Sequence, residues 1–214
     1  MKLIGYFRSS AAFRVRIALN LKGIAVEHVA RHLRKGEQSA PDYAAINPQK
    51  LVPALVLDSG QVLTQSLAIL EYLEETHPQP PLLPSDPVDR AHARALALIC
   101  TADVHPIQNL RVMAYLRKQL GQTEEVAFAW SRHWIDTGFE AYEATIASDP
   151  RTGAFSVGDQ PTMADLCLVP QVFNAVRFKV DMTKYPTIRR IHERCMTLPA
   201  FSAAQPSNQP DAEP

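Results

Sequence analysis

Cysteine is scarce in this chain: three residues in 214, Cys100, Cys167 and Cys195, far apart and odd in number. That excludes a disulfide framework and offers no cysteine metal spacing. Each lies in an apolar helical context, where a free cysteine acts as a small core residue, and the expectation is a reduced, cytoplasmic protein. Excess charge is also absent, with 22 Lys and Arg against 22 Asp and Glu. Such a balance gives neither nucleic acid nor an anionic membrane a field to bind to. No apolar run approaches the roughly 20 residues of a spanning helix. Met1-Lys-Leu-Ile-Gly-Tyr6 runs straight into a strand pattern, without the apolar core of a signal peptide. The histidines do not converge with cysteine or aspartate, so no metal is expected, and there is no G-x-G-x-x-G or Walker motif. No cysteine stands at a predicted helix start, where a thiolate would be activated. Any thiol chemistry therefore has to come from a bound cofactor.

What is present has clear periodicity. Residues 3–7 read as a strand. A helix over 10–22 follows, with Phe13, Ile17, Ala18 and Leu21 at helical spacing and Gly23 suited to its left-handed end. Residues 26–30 read as a second strand, and a short helix lies near 41–46. Residues 54–57 and 61–63 flank a tight Asp58-Ser-Gly60 turn as a hairpin. The next helix covers 67–75, with Ser66 as its N-cap and His77-Pro78 as its stop. This β-α-β-α-β-β-α order makes residues 1–80 a mixed α/β domain. The proline-dense residues 81–87 read as a linker. Residues 88–201 are all helical: 88–119 with a break at Pro106, 123–147, 162–178 opened by a Thr162/Asp165 capping box, and 185–198. Residues 202–214 have little to bury and read as a loosely ordered or surface-draped tail.

Five places could carry chemistry. Arg8-Ser9-Ser10 meets a helix start, whose unpaired N–H groups and positive end favour an anion. The serines read either as caps or as donors to a bound thiolate or carboxylate. Val52-Pro53 enters a strand, either as an edge proline or as a cis bond that leaves the Val52 backbone to pair with an extended peptide. Gln65-Ser66 opens a helix as a cap or as a carboxylate site. His105, Gln108 and Asn109 flank a helix-breaking proline, which marks a solvated kink or a site. Arg177 shares an apolar face with Val172, Phe173, Val176 and Val180, as a snorkelling cation or a functional one.

Taken together, the chain resembles the cytosolic glutathione transferases, and within them the zeta class, the maleylacetoacetate isomerases. The resemblance rests on Ser9-Ser10-Ala-Ala-Phe-Arg-Val-Arg-Ile-Ala-Leu19, Val52-Pro53, Gln65-Ser66, the run from Thr162-Met-Ala-Asp165 to Asp181, Pro186-Thr-Ile and the late Gln209-Pro-Asp211. It covers essentially the whole chain. One position departs: Ala11 stands where the class signature often has cysteine.

The resemblance implies a thioredoxin-like α/β N-terminal domain that binds glutathione, followed by an all-α C-terminal domain. It implies catalytic roles for Ser9, Ser10 and Arg14 around the glutathione sulfur. Glutathione contacts would come from Ser9, Ser10, Gln38, Val52, Pro53, Gln65, Ser66, His105, Asn109 and Arg111. Arg8, Arg111 and Arg177 would receive the carboxylates of a small unsaturated dicarboxylic keto acid. The implied reaction is cis–trans isomerisation of maleylacetoacetate to fumarylacetoacetate, in tyrosine and phenylalanine breakdown, by thiolate addition, bond rotation and elimination. Maleylpyruvate isomerisation on the same scaffold is the nearest alternative, and a general glutathione transferase or binding protein is a third. A homodimer is also implied.

Overall fold

Short apolar or alternating stretches form four strands: β1 (Lys2–Gly5), β2 (Glu27–Ala30), β3 (Ala54–Val56) and β4 (Val62–Thr64). In the computed structural model, which describes residues 1–213, they make one sheet in the order β2-β1-β3-β4. β1 runs parallel to β2 and antiparallel to β3, and β3 runs antiparallel to β4. Three helices complete this region: α1 (Ser10–Leu21), α2 (Pro41–Ile46) and α3 (Ser66–Thr76). A side chain at Gly5 would bring its Cβ within 3.3 Å of the Ala12 Cβ, so small residues at both positions let α1 settle closely on β1.

Two cross-links fix α1 to α3. Near their starts, Arg14 Nη1 donates to Ser66 Oγ at 3.1 Å. At the other end of α1, Lys22 Nζ pairs with Glu74 Oε2 at 3.0 Å and also donates to the carbonyls of His77 and Pro80. Glu74 takes the Leu82 N–H as well. This ion pair is buried, and its extra hydrogen bonds offset the loss of water around both charges.

The chain separates into two units. One is Met1–Leu82 together with the chain from Met196 onward, and the other is Leu83–Cys195. The helical unit holds α4 (Pro87–Leu98), α5 (Leu110–Lys118), α6 (Glu124–Ile146), α7 (Met163–Arg177) and most of α8 (Pro186–Met196). The expected break around Pro106 is present: α4 widens into a π turn over Ile99–Val104, a 3-10 turn follows over His105–Ile107, and α5 begins at Leu110. Gly138 of α6 permits that detour, since a Cβ there would lie 2.1 Å from Val104 Cγ2. No helix of the described residues is long and apolar enough to cross a membrane.

Three local expectations change. The first strand stops at Gly5 because the Tyr6 carbonyl turns to accept the Ser9 N–H at 2.9 Å. Ser66 is the first residue inside α3, not its cap; Gln65 takes the cap position at φ 67°, and the Ser66 hydroxyl is engaged by Arg14. Residues 199–209 are tied down. α9 (Pro199–Ala203) buries Phe201, Asn20 Nδ2 donates to the Ala200 carbonyl, and Gln209 Nε2 donates to the carbonyls of Ala203 and Gln205.

Candidate active site

The opening turn is set by its hydrogen bonds. Ser9 is the N-cap of α1, and its Oγ accepts the Ala12 N–H at 3.2 Å. Accepting that bond uses an oxygen lone pair and leaves the hydroxyl proton to be donated elsewhere. Cap and anion donor are therefore compatible roles for one side chain. Ser9 is half-buried and Ser10 buried. α1 has no acidic residue in its first turn, so its positive end is not neutralised from within. Arg8 is half-buried, with its guanidinium 5.7 Å from the Phe7 ring centre.

The loop before β3 is held by one asparagine. Buried Asn47 accepts the Gln49 N–H at 3.1 Å and donates to the Leu51 carbonyl at 2.7 Å, where the Tyr43 hydroxyl also donates at 2.6 Å. This places Val52 and Pro53, joined by a cis peptide bond, just before Ala54, the first residue of β3, which pairs with Ile4 of β1. Across from it, Gln65 Nε2 donates to Gln49 Oε1 at 2.8 Å. Gln65 at φ 67° and ψ 117° sits in a backbone region that a non-glycine residue occupies at a cost of about 1–3 kcal/mol, and such residues concentrate at functional sites. α3, like α1, has no acid in its first turn. Gln38 lies in a short 3-10 turn, and its Oε1 is a buried acceptor without a protein donor.

Arg14 is the residue expected to act at the glutathione sulfur from within α1. It is almost wholly buried within α1, and its guanidinium bonds Ser66. That makes it a link between the two helix starts, set back from the turn itself. Asn47, Tyr43 and Gln49 carry no local signal beyond the turn-forming Asn47-Pro48 pair.

In the helical unit, His105 is half-buried in the 3-10 turn, and Asn109 caps α5 by accepting the Val112 N–H at 3.2 Å. Arg111 is exposed in the first turn of α5. Arg177 is exposed at the end of α7, with its guanidinium 5.1 Å from the Phe178 ring centre. All three cysteines are buried, and burial pushes the Cys195 thiol far up, so it is no nucleophile at neutral pH.

Family models place this geometry. The glutathione S-transferase N-terminal domain matches residues 3–81, and the glutathione S-transferase C-terminal domain matches 113–199. The chain belongs to the glutathione S-transferase family. Among its relatives, the maleylpyruvate isomerase of a Ralstonia species is 52% identical over 99% of this chain and 100% of its own. A solved maleylpyruvate isomerase, described as a bacterial zeta-class glutathione S-transferase, is 51% identical with a TM-score of 0.97, covering both chains fully. The maleylacetoacetate isomerase of Methylobacterium extorquens AM1, solved with bound malonate and GSH, is 45% identical, also at 0.97 and with full coverage of both chains. The thioredoxin-like α/β domain followed by helices is the architecture expected of a glutathione S-transferase. The site residues of the N-terminal unit suit a tripeptide thiol. Two helix starts lack internal anions, and one buried amide oxygen, Gln38 Oε1, lacks a donor.

Proposed function

We propose that this chain is a glutathione-dependent cis–trans isomerase that converts maleylacetoacetate to fumarylacetoacetate in tyrosine and phenylalanine breakdown. The observation that carries the reading is the pair of helix starts, α1 and α3, linked through Arg14 and Ser66, each opening on serine with no acid in its first turn. Such starts favour two anionic groups held side by side, as a thiolate and a carboxylate of glutathione would be. When bound, glutathione would supply a nucleophilic thiolate, the chemistry by which a conjugated double bond can be made reversibly single and so change its geometry.

The chain's own residues do the rest. The Ser9 hydroxyl would donate to the sulfur, and the α1 start would lower its pKa from the ordinary thiol value of about 8.5. Ser10 lines the same start. Gln65, Ser66 and the α3 start hold the γ-glutamyl carboxylate, the Val52 backbone beside Pro53 pairs with the peptide, and Gln38 Oε1 accepts from it. His105 and Asn109 contribute further glutathione contacts. Arg8, Arg111 and Arg177 receive the substrate carboxylates, for which the planar guanidinium fork is suited. A cytoplasmic homodimer completes the reading, and light scattering at micromolar concentration tests the dimer.

A second reading, maleylpyruvate as substrate, is favoured by the 52% identity to the Ralstonia enzyme of that name. One assay decides: purified protein with glutathione and each maleyl acid, followed by loss of the enol absorbance. The larger kcat/KM names the substrate. Absence of glutathione-dependent turnover with both acids overturns the isomerase function.

A further inference from the structure

The late Gln209-Pro-Asp211 has no part in the chemistry above, yet it is bonded to the turn that carries it. Tyr6 and Phe7, between β1 and Ser9, are buried, so their backbone polar groups need partners inside the protein. Two side chains supply them. The Arg16 guanidinium donates to the Tyr6 carbonyl at 3.4 Å, the Phe7 carbonyl at 3.0 Å and the Ala204 carbonyl at 3.0 Å. Asp211 Oδ2 accepts the Phe7 N–H at 2.9 Å. The Tyr6 carbonyl also accepts the Ser9 N–H. Phe7 is thus held on both faces, two residues before the hydroxyl that caps α1.

The segment bearing Asp211 is fastened by directed bonds. Gln209 bonds Ala203 and Gln205, and His32 Nε2 meets Glu213 Oε1 at 2.7 Å. A cavity of about 50 Å³ remains between this segment and the sheet, lined in part by Arg16, His28, Pro210 and Asp211. Ala212 packs against the cluster that holds Tyr6 and Phe7, and beside it the Asp211 carboxylate is fixed by its hydrogen bond to Phe7. Burial lowers the Arg16 guanidinium to about 10, an effect partly offset by the nearby Asp211 charge.

We propose that Asp211 is a positioning residue: acting through the Phe7 N–H and with Arg16, it sets where Ser9 presents its hydroxyl to the glutathione sulfur. The proposal rests on the glutathione-dependent reading. Small displacements of a reacting group carry large rate costs. Removing the carboxylate should therefore alter the sulfur's environment more than the binding of the tripeptide, which keeps its contacts at Val52, Gln65 and Ser66.

The test is a thiolate absorbance titration of the enzyme–glutathione complex, comparing wild type, Asp211→Ala and Asp211→Asn. Asp211→Ala should raise the pKa of the bound thiol by about 1 unit and lower kcat about tenfold, while the glutathione dissociation constant changes less than about threefold. Asp211→Asn, whose amide oxygen can still accept the Phe7 N–H, should stay near wild type. Amide hydrogen exchange at Phe7 and Ser9 should speed up in Asp211→Ala alone. It reads the clamp without glutathione, and Asp211→Asn serves that comparison if the alanine variant fails to fold. A wild-type complex without a lowered thiol pKa would overturn the isomerase reading and the proposal with it. A lowered wild-type value that Asp211→Ala leaves unchanged, or unprotected Phe7 and Ser9 amides in wild type, would overturn the positioning role alone.

Discussion

Helices α1 and α7 begin alike and end up chemically opposite. Each has a hydroxyl residue at the cap and a short run of small or apolar residues after it: Ser9-Ser10-Ala-Ala12 and Thr162-Met-Ala-Asp165. The third helical position decides the outcome. In α7 it is Asp165, fully buried, whose carboxylate accepts from the Thr162 N–H, the Thr162 hydroxyl and the Ser156 N–H. That start carries its own anion and is closed. In α1 the position is Ala12, which donates its N–H to Ser9 and lies against Gly5 with little room to spare. α8 makes the same point by a longer route, since Glu143 of α6 accepts the N–H groups of Thr187 and Ile188 at 2.8 and 2.9 Å. A helix start filled by the chain's own acid is a structural joint, and one left without an acid can hold a ligand's charge.

Emptying the closed start should have the largest effect. Asp165→Ala leaves three buried donors without an acceptor and should cost about 3 kcal/mol or more of stability, read by chemical denaturation. Glutathione affinity of the folded fraction should be unchanged; a matching loss of affinity would break the division between joint and site. Weakening the open start should do the reverse. Ser9→Ala should lower kcat/KM about 100-fold while costing only about 1 kcal/mol in stability. Equal losses in activity and stability would return Ser9 to a plain cap.

The smallest effect concerns pH and the α8 side of the comparison. Burial holds the His192 imidazole below its ordinary value. A histidine with a depressed folded pKa contributes its full stability above the unfolded value, about 6.5, and loses it as pH falls through the folded value. Between pH 7 and pH 5 the melting temperature should therefore fall, and His192→Gln should reduce the fall by about 3 °C. An unchanged profile in the variant would move that acid sensitivity elsewhere, with His28 and His92, also depressed by burial, as the next groups to replace.

Much of this organisation follows from local sequence. Helical spacing and cap residues set α1, α6 and α7, proline at 106 broke the long helical run, and the Asp58-Ser-Gly60 turn set the β3–β4 hairpin. Short-range rules suffice there because the interacting groups lie within a few residues of one another. The Ser9 turn, Val52-Pro53 and Gln65-Ser66 were legible as candidates for the same reason. Each lies at an element boundary, where unpaired backbone groups are unavoidable.

Tertiary structure decided which of those boundaries belong together and what each side chain does. The Arg14–Ser66 bond spans 52 positions and the Phe7–Asp211 bond spans 204. No periodicity or capping rule reaches so far. Arg14 became a buried link because α1 and α3 meet, and Ser66 lost its expected cap role to that link. Residues 202–213 found their place by burying Ala204 and Pro206, by packing Ala212 against the Tyr6 and Phe7 cluster, and by polar bonds to α1 and to the turn after β1. Whether an individual helix starts at serine was written in the sequence. Whether its charge is met from within the chain depends on what the fold brings to that point in space.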